Sequence, residues 1–371
     1  GTVRVEESIN IPDEFEIRTP FSLTDVNASL FIEITDSQIF ADILNINALI
    51  PDSDYDYLTT SGQFYSDDQF FELNSFRIST GLGELQFGLE ATPVNLFADN
   101  PGEQFRNADI TAEFTNSTLS TPFLQRYLPE YPGFDNDVIF ELIVEGNRDE
   151  FFVDRFQAAV GESFLTFSAV GRDLLSDEFS YDLQLENLVL HPDNYTFALE
   201  PYLPGAELAQ YDITTFRGDL SGTLTVLRSE ITMATALGGL SLSADVQLPS
   251  EQRPGYEFTL DADSLALSPL FRDSLRTTLL TGRITGSGRG IIESPEYSLD
   301  IDLDNSILAG HSLRQLEGSV EYARNRYDYT LTASDPVSTV RSNGFYTRDD
   351  AQHYISTDSV FDNVNLSIYT N

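Results

Sequence analysis

The sequence contains no cysteine, no tryptophan and only one methionine. The absence of cysteine excludes disulfides, thiolate metal sites and cysteine nucleophiles together. Lysine is also absent, so all 20 basic residues are arginine, against 60 Asp and Glu, and the formal net charge is -40. Because nucleic acids and anionic membrane surfaces are bound through clustered positive charge, this acidic balance excludes both as docking partners.

Long hydrophobic runs are missing as well. No stretch approaches the roughly 18 apolar residues that a membrane-spanning helix needs. The chain begins at Gly1 without a methionine or a basic-then-apolar leader, so we expect a mature product or an internal or C-terminal part of a longer protein. Any anchor or export signal would then lie outside it.

What the chain has in abundance is alternation of apolar and polar residues. Hydrophobic residues make up 41% of the chain and aromatic residues 12%, and they recur at every second position, as in the segment 299–304. This period is typical of strands with one dry and one wet face. Short helices are predicted only at 121–128 and 269–280. We expect an all-β fold: an elongated, repetitive antiparallel sheet of roughly 30 strands, at about one strand and turn per 10 to 12 residues.

Internal similarity indicates repeats. Hairpins centred on Gly81, Gly161, Gly238 and Gly310 resemble one another, and these glycines lie 80, 77 and 72 residues apart. Connectors containing proline recur between them, at 119–132, 190–204 and 265–271. We therefore predict a single elongated domain over 1–371, with degenerate repeats of about 75 residues at approximately 1–75, 76–155, 156–230, 231–298 and 299–371.

Signatures of catalysis are weak. The three histidines, His191, His311 and His353, do not stand at metal-ligand spacing, and no nucleophile elbow or metalloprotease helix is present. The acidic segment 52–57 begins like a calcium loop but lacks the glycine and the bidentate glutamate that such a loop needs. The glycine-rich segment 286–290 is interpreted as a turn between strands with glycines at positive φ. We expect no enzymatic activity, no metal and no cofactor.

The periodic pattern itself is the remaining candidate for function. A sheet with one apolar face must cover that face with a second layer, with itself by curling, or with a ligand. An apolar trough would solvate acyl chains at about 0.8 kcal/mol per buried CH2 group. The positions predicted to line such a lipid groove are Phe76, Ile78, Leu85, Phe87, Phe140, Leu142, Phe156, Leu165, Phe167, Leu224, Leu240, Leu242, Phe258, Leu260, Leu299, Ile301 and Tyr329.

The glycine-centred hairpins, the segments 265–271, 280–288 and 297–322, and the strand pair at 212–226 together resemble the TamB and AsmA-like group of bacterial envelope proteins. The resemblance covers most of the chain. It implies a taco-like β-sheet with an apolar interior groove, and no catalytic residues. It also implies a periplasmic segment of a Gram-negative protein anchored in the inner membrane. Such a protein would carry phospholipid between the two membranes and support outer-membrane assembly with an Omp85-type barrel partner.

Three other readings stay open at this point. A secreted or surface-exposed β-rich adhesin or scaffold would pair its apolar faces in dry sandwiches without a ligand groove. An acidic β-rich hydrolase would need one deep cleft with two buried carboxylates. An outer-membrane barrel is disfavoured, because the polar face is highly charged and aromatic girdles are not evident.

Overall fold

The computed structural model describes residues 3–4, 22–35, 37–51, 53–98, 100–127, 136–199, 203, 206–248, 253–270, 277–290, 295–349 and 352–363. The chain divides into two units: unit 1 is Gly1–Ser176 and unit 2 is Asp177–Asn371.

The described residues of unit 1 form ten strands and two short helices. They are β1 (Val3–Arg4), β2 (Ser22–Ile34), β3 (Ile39–Leu49), β4 (Tyr57–Ser66), β5 (Phe71–Thr80), β6 (Gly83–Thr92), α1 (Pro101–Asn107), β7 (Asp109–Leu119), α2 (Thr121–Tyr127), β8 (Val138–Gly146), β9 (Glu150–Val160) and β10 (Ser163–Arg172). Each strand pairs with the next one along the chain, always antiparallel.

Unit 2 follows the same plan. Its elements are β11 (Ser180–Leu190), α3 (Pro192–Leu199), a 3-10 helix (Leu208–Tyr211), β12 (Thr214–Thr223), β13 (Val226–Thr235), β14 (Gly238–Gln247), β15 (Gly255–Ala266), a 3-10 helix (Ser268–Leu270), β16 (Leu279–Arg289), β17 (Glu296–Leu308), β18 (His311–Ala323), β19 (Arg326–Ser334), β20 (Thr339–Asp349) and β21 (Gln352–Asp362). Consecutive strands are again antiparallel neighbours.

The prediction of an all-β, repetitive antiparallel sheet is confirmed. In the described part of each unit, the first and last strands of the meander do not pair with each other, so each sheet remains open. The strand number differs from the expectation. The described residues form 21 strands instead of roughly 30, because every strand except β1 is 9 to 13 residues long. Strands in globular proteins average about 5 to 6 residues.

The four predicted hairpins are present as β5–β6, β9–β10, β13–β14 and β17–β18. They recur at every fourth strand, and β7, β11 and β15 are each followed by a helical connector. Hairpins and helical connectors therefore alternate along the described strands. The boundary between the two units, after Ser176, falls inside the predicted repeat 156–230.

The helices agree in part with the expectation. Helix α2 lies where a helix was predicted, at Thr121–Tyr127. Only a 3-10 helix at Ser268–Leu270 occupies the start of the second predicted helix, β16 begins at Leu279, and 271–276 lie outside the described residues. Helices α1 and α3 were not predicted. Each begins with a proline, whose missing N–H and constrained φ suit the first helical position.

An asparagine–serine bulge recurs in the described parts of both units. Asn116 and Asn305 have φ of 45° and 44°, and each is followed by an almost fully buried serine. The Ser117 hydroxyl accepts a hydrogen bond from the backbone N–H of Gln86 at 3.0 Å and donates one to the backbone carbonyl of Gln86 at 3.3 Å. Ser306 makes the same pair of bonds with Thr281, at 3.0 and 3.2 Å. The hydroxyl thus replaces a ladder bond that the bulge removes.

The first prediction concerns these serines. Ser117→Ala should lower the free energy of unfolding by about 1 to 3 kcal/mol, because the Gln86 amide and carbonyl would lose their buried partner. Urea unfolding of the full chain measures this change. Ser243→Ala, at an exposed serine on β14, is the matched control and should stay within about 0.5 kcal/mol of the parent protein. Equal midpoints for the two variants would contradict this role of the serine.

Candidate functional site

The apolar face of unit 1 is organised around a row of phenylalanines, here called the phenylalanine ladder. Its members come from consecutive strands, where each ring is directly opposite or diagonal to the next, and they are Phe76, Phe87, Phe114, Phe140, Phe156 and Phe167. Neighbouring ring centroids lie between 4.8 and 6.5 Å apart. Aromatic pairs at these distances stabilise one another beyond the area that they bury. The ladder therefore runs unbroken across six strands, from β5 to β10.

The remaining predicted positions of unit 1 lie on the same face. Ile78 is opposite Leu85 on the β5–β6 pair, two residues from the ladder. Leu142 is opposite Phe156, and Leu165 is opposite Ala158. All nine predicted positions of unit 1 are partly exposed, although they are surrounded by apolar neighbours. They form a surface that a further apolar layer or ligand can cover.

Helix α1 covers one end of this face. Val94, Ala91 and Ala108 are buried at 0 to 1% exposure, and Phe71 and Phe105 pack against them. The Phe71 and Phe105 rings meet edge to face with centroids 4.9 Å apart. This small core closes the end of the sheet where β6 leads into α1. The middle of the phenylalanine ladder has no comparable core among the described residues.

The opposite face of unit 1 carries charge. Arg77 pairs with Glu84 at 2.7 Å, and Arg155 pairs with Glu141 at 3.5 Å. Hydrogen bonds from the Arg77 guanidinium and from the side-chain amide of Gln86 hold the pKa of Glu84 below its usual value. This face is not purely polar, because Ile139 is 52% exposed on it.

The apolar face of unit 2 is aliphatic at its centre. Leu242, Leu260, Ile284 and Ile301 stand opposite one another on four consecutive strands, β14 to β17. We call this set the aliphatic row. Rows on either side of it hold the other predicted positions of this face, Leu240, Phe258, Leu299 and Tyr329. The charged groups of unit 2 lie on the other face, where Arg228 meets Asp245 at 3.1 Å.

One predicted position lies elsewhere. Leu224 belongs to the turn between β12 and β13, where it is 60% exposed, and so it is not part of the face. The turn occupies residues 224 and 225, so Leu224 keeps the every-second-residue spacing with Leu220 and Val226 although it lies outside both strands. Sequence periodicity does not distinguish a two-residue turn from a strand position when the turn also preserves the period.

A row of tyrosines borders the apolar face of unit 2, and we call it the tyrosine row. It consists of Tyr256, Tyr297, Tyr322, Tyr327 and Tyr346, which share one register position from β15 to β20. The centroid distances between neighbours from Tyr297 onward are 5.1, 4.5 and 5.9 Å. Burial, followed by a hydrogen bond with Tyr327, raises the pKa of Tyr297 to about 12. The Tyr297 phenol therefore remains neutral at physiological pH.

The other edge of this face is closed by the connectors. Tyr195 of α3, Leu208 and Tyr211 of the first 3-10 helix, and Ala262 and Leu265 of β15 form a buried cluster. Their polar groups are satisfied: the Tyr195 hydroxyl lies 3.0 Å from the Leu208 carbonyl, and the Tyr211 hydroxyl donates to the Ala266 carbonyl at 2.7 Å. The face of unit 2 thus has one packed edge and one edge lined by tyrosine.

Two components of the site escaped the sequence analysis. Phe114 was missed because the bulge at Asn116 interrupts the alternation in β7. The tyrosine row was missed as a unit, since its members come from five different strands. The recurrence of a tyrosine next to a strand end, as at Tyr256, Tyr297 and Tyr322, was the available signal.

The segment 286–290 was wrongly interpreted as a turn. Gly286 and Gly288 lie inside β16, and only Gly290, with φ of 72°, follows the strand. A β-carbon at Gly286 would approach the Phe258 ring to 2.5 Å, and one at Gly288 would approach the Tyr256 hydroxyl to 2.6 Å. The two glycines therefore make room for aromatic rings from the neighbouring strand.

The calcium-like segment and the histidines make the following contacts in the described part of the chain. Asp54 of the calcium-like segment is 3.5 Å from Arg126, and Asp52 lies outside the described residues. His191 lies 3.5 Å from Asp193, and His353 contacts the Tyr346 hydroxyl at 2.7 Å. Within the described ranges, no three His, Asp or Glu side chains are placed to hold a metal ion.

The chain has no significant match to a protein-family model, a curated protein or a solved structure. Among the described helices, none has the length and apolarity required to cross a membrane.

Proposed function

We propose that the chain binds phospholipid acyl chains on the apolar faces of its two sheets. The observation that carries the proposal is the continuity of these faces: the phenylalanine ladder crosses six strands of unit 1, and the aliphatic row crosses four strands of unit 2. Both remain partly exposed. Covering such a surface with an apolar ligand is favourable by about 25 cal/mol of free energy per Å² of apolar area removed from water.

The charged residues lie on the faces opposite the apolar rows. This distribution favours an elongated apolar ligand on the apolar faces over a partner protein that docks on the charged faces. Arginine–carboxylate pairs such as Arg77–Glu84 and Arg283–Asp261 lie on the faces that the ladder and the aliphatic row do not use. These exposed pairs contribute little to stability and keep the outer surface hydrated. An acyl chain needs no hydrogen-bond partners, so it can follow a strip of side chains from one strand to the next.

We further propose, from the resemblance to TamB and AsmA-like proteins, that the chain is a periplasmic segment of a bridge-like lipid-transport protein. The parent protein would be anchored in the inner membrane and would shield lipid on its way to the outer membrane. A role in outer-membrane biogenesis with an Omp85-type barrel protein belongs to the same proposal. The features of the chain that support it are the hairpin repeat and the apolar faces.

The second prediction tests lipid binding. Native mass spectrometry with lipid extraction should find phospholipid on the protein purified from bacterial membranes, and Phe140→Asp should lose most of it. The new carboxylate would lie in the ladder, beside the rings of Phe114 and Phe156. Desolvating a charge there is costly, so the acyl chain is excluded.

The adjacent Ile139 provides the matched control. Ile139→Asp changes a side chain of similar apolar character on the opposite face, 52% exposed, and should retain lipid. Far-UV circular dichroism shows whether each variant keeps its strands. A folded parent protein that carries no lipid would contradict the proposal, as would a folded Phe140→Asp variant that carries as much lipid as the parent.

A further inference from the structure

We propose that a cluster of hydroxyl groups on the apolar face of unit 2 holds the hydroxyl-bearing glycerol end of an acyl lipid. The cluster, which we call the hydroxyl cluster, consists of Tyr329, Ser342, Thr357 and Ser359. This inference rests on the proposed lipid binding. It goes beyond that proposal by naming where the polar end of the lipid lies and which chemical group is recognised there.

Hydrogen bonds join the four side chains across three strands, β19 to β21. The Tyr329 hydroxyl donates to the Thr357 hydroxyl at 2.9 Å. The hydroxyls of Ser342, Thr357 and Ser359 form a triangle with oxygen–oxygen distances of 2.9 to 3.1 Å. Gly344 stands between Tyr329 and Thr357 in the register, and a β-carbon there would lie 2.9 Å from the Tyr329 hydroxyl. The phenol therefore crosses the backbone of β20 at a glycine to reach β21.

The hydroxyl cluster lies in line with the aliphatic row. Beyond Ile301, the same register position is occupied by Gly318 and Leu331, and then by Ser342 and Ser359. The side chains that adjoin the cluster on this face are uncharged, and they include Leu331, Ala333, Val340, Tyr346, Ile355 and Phe361. A lipid on this face can therefore keep its acyl chain on the aliphatic row and its polar end on the hydroxyl cluster.

The position of the cluster sets the direction of the lipid. Among the described residues, β21 pairs only with β20, so it is the edge strand, and its Ile355 and Phe361 are 72% and 62% exposed. A polar group at the cluster stays close to water, whereas the apolar row leads inward. From Leu331 to Leu242 the row crosses five strand spacings, about 24 Å at roughly 4.8 Å each. Half of a bilayer's hydrocarbon core measures about 15 Å, so one acyl chain fits on the row.

The hydroxyl cluster can accept more hydrogen bonds than it can donate. Each hydroxyl has one proton and two lone pairs. The four contacts of 2.9 to 3.1 Å can use all four protons within the cluster, and the lone pairs that remain are free to accept. A glycerol hydroxyl can donate to them, whereas an ester or an ionised phosphate has no proton to give. Because the adjoining side chains named above carry no positive charge, nothing in that set compensates a phosphate.

Two ligands with the same acyl chain test this recognition. Both 1-oleoylglycerol and methyl oleate are oleoyl esters, but only 1-oleoylglycerol has free hydroxyls. The full chain should bind 1-oleoylglycerol at least about fivefold more tightly, as expected for two added hydrogen bonds. Displacement of the neutral dye N-phenyl-1-naphthylamine measures both affinities, at concentrations below those at which the lipids self-associate.

Variants locate the recognition on the face. The Ser342→Ala, Thr357→Val double variant removes two hydroxyls of the cluster with little change in side-chain size. It should bind the two ligands with affinities within about twofold of each other. The matched Thr330→Val, Ser356→Ala variant changes the same residue types on the charged face of β19 and β21, and it should keep the preference of the parent protein.

The outcomes separate the two proposals. Equal affinities of the parent protein for the two ligands would overturn the hydroxyl site while leaving acyl-chain binding in place. A preference that survives in the folded double variant, or that the matched control also loses, would likewise overturn it. If neither ligand displaces the dye from the folded parent protein, acyl-chain binding itself is contradicted. Where circular dichroism shows that the double variant does not fold, Tyr329→Phe replaces it, and an undiminished preference in that variant contradicts the site.

Discussion

Replacing Gly282 with alanine is expected to lower the free energy of unfolding by more than about 3 kcal/mol. Gly282 has a φ of 131°, a region that side-chain-bearing residues rarely occupy. A β-carbon there would lie 2.4 Å from the Asp302 carbonyl oxygen and 2.7 Å from the Leu303 α-carbon. Both contacts are with the backbone of β17, so the strain cannot be relieved by a rotamer change.

Gly255→Ala on the adjacent strand is the matched control. Its β-carbon would find its nearest neighbour, the Gly288 carbonyl oxygen, at 4.0 Å. This variant should be neutral or slightly more stable, because alanine restricts the unfolded chain more than glycine does. Urea unfolding followed by circular dichroism compares the two. Similar midpoints would show that β16 and β17 can separate at Gly282 without loss of the sheet.

Gly282 also explains how the face is built. It sits where the β16–β17 register shifts, between the pairs Leu279–Ile307 and Gly282–Leu303. Close approach of the two backbones at this point keeps Leu303 on the same side of the sheet as Ile301 and the rest of the aliphatic row. Loss of the register would turn alternate side chains to the opposite face.

The apolar faces were largely predictable because strand periodicity is local. Alternation at Leu299, Ile301 and Leu303, or at Leu240 and Leu242, is a property of a few neighbouring residues, and the observed faces follow it. The hairpins at Gly81 and Gly310 were predictable for the same reason, since a turn is specified by the residues within it.

What escaped prediction depends on residues far apart in the sequence. The ring of Phe258, from the neighbouring strand, fills the space above Gly286 within β16. The phenylalanine ladder passes through Phe114 beside the bulge at Asn116, where the register between β7 and β8 shifts. A single sequence contains neither the cross-strand distance nor the position of a bulge.

The strand count was overestimated for a related reason. The estimate took one strand and one turn per 10 to 12 residues, whereas β17 and β18 each contain 13 residues. Such strands are long enough for the face of unit 2 to include a tyrosine edge, an aliphatic centre and a packed edge. Strand length therefore matters for the proposed function as well as for the architecture.

The packed edge leads to the last prediction, which concerns Tyr211. Its side chain is buried, and its hydroxyl donates to the Ala266 carbonyl at 2.7 Å. Burial, with a smaller contribution from Tyr195, raises the pKa of Tyr211 to about 12, against 10.0 for a free tyrosine. A folded-state pKa above the unfolded value means that the stability is fully present below pH 10 and declines as the pH rises toward 12.

At about 1.4 kcal/mol per pKa unit, this decline amounts to about 3 kcal/mol in the parent protein. Tyr211→Phe should cost about 1 to 2 kcal/mol at pH 8, since the Ala266 carbonyl loses its donor. Between pH 10 and pH 12 it should then lose less stability than the parent, because phenylalanine has no proton to release. Urea midpoints at pH 8, 10 and 12 give both differences.

Tyr329→Phe separates this effect from the general response of an acidic chain to alkali. Hydrogen bonds with Ser342 and Thr357 lower the pKa of Tyr329, so its ionisation favours the folded state instead of opposing it. Removing that phenol should leave the alkaline loss of the parent intact or increase it. If Tyr211→Phe and Tyr329→Phe changed the profile alike, repulsion among the carboxylates, and not the buried Tyr211, would govern alkaline unfolding. If only Tyr211→Phe flattens the profile, ionisation of the buried Tyr211 in the connector accounts for the loss of stability in alkali.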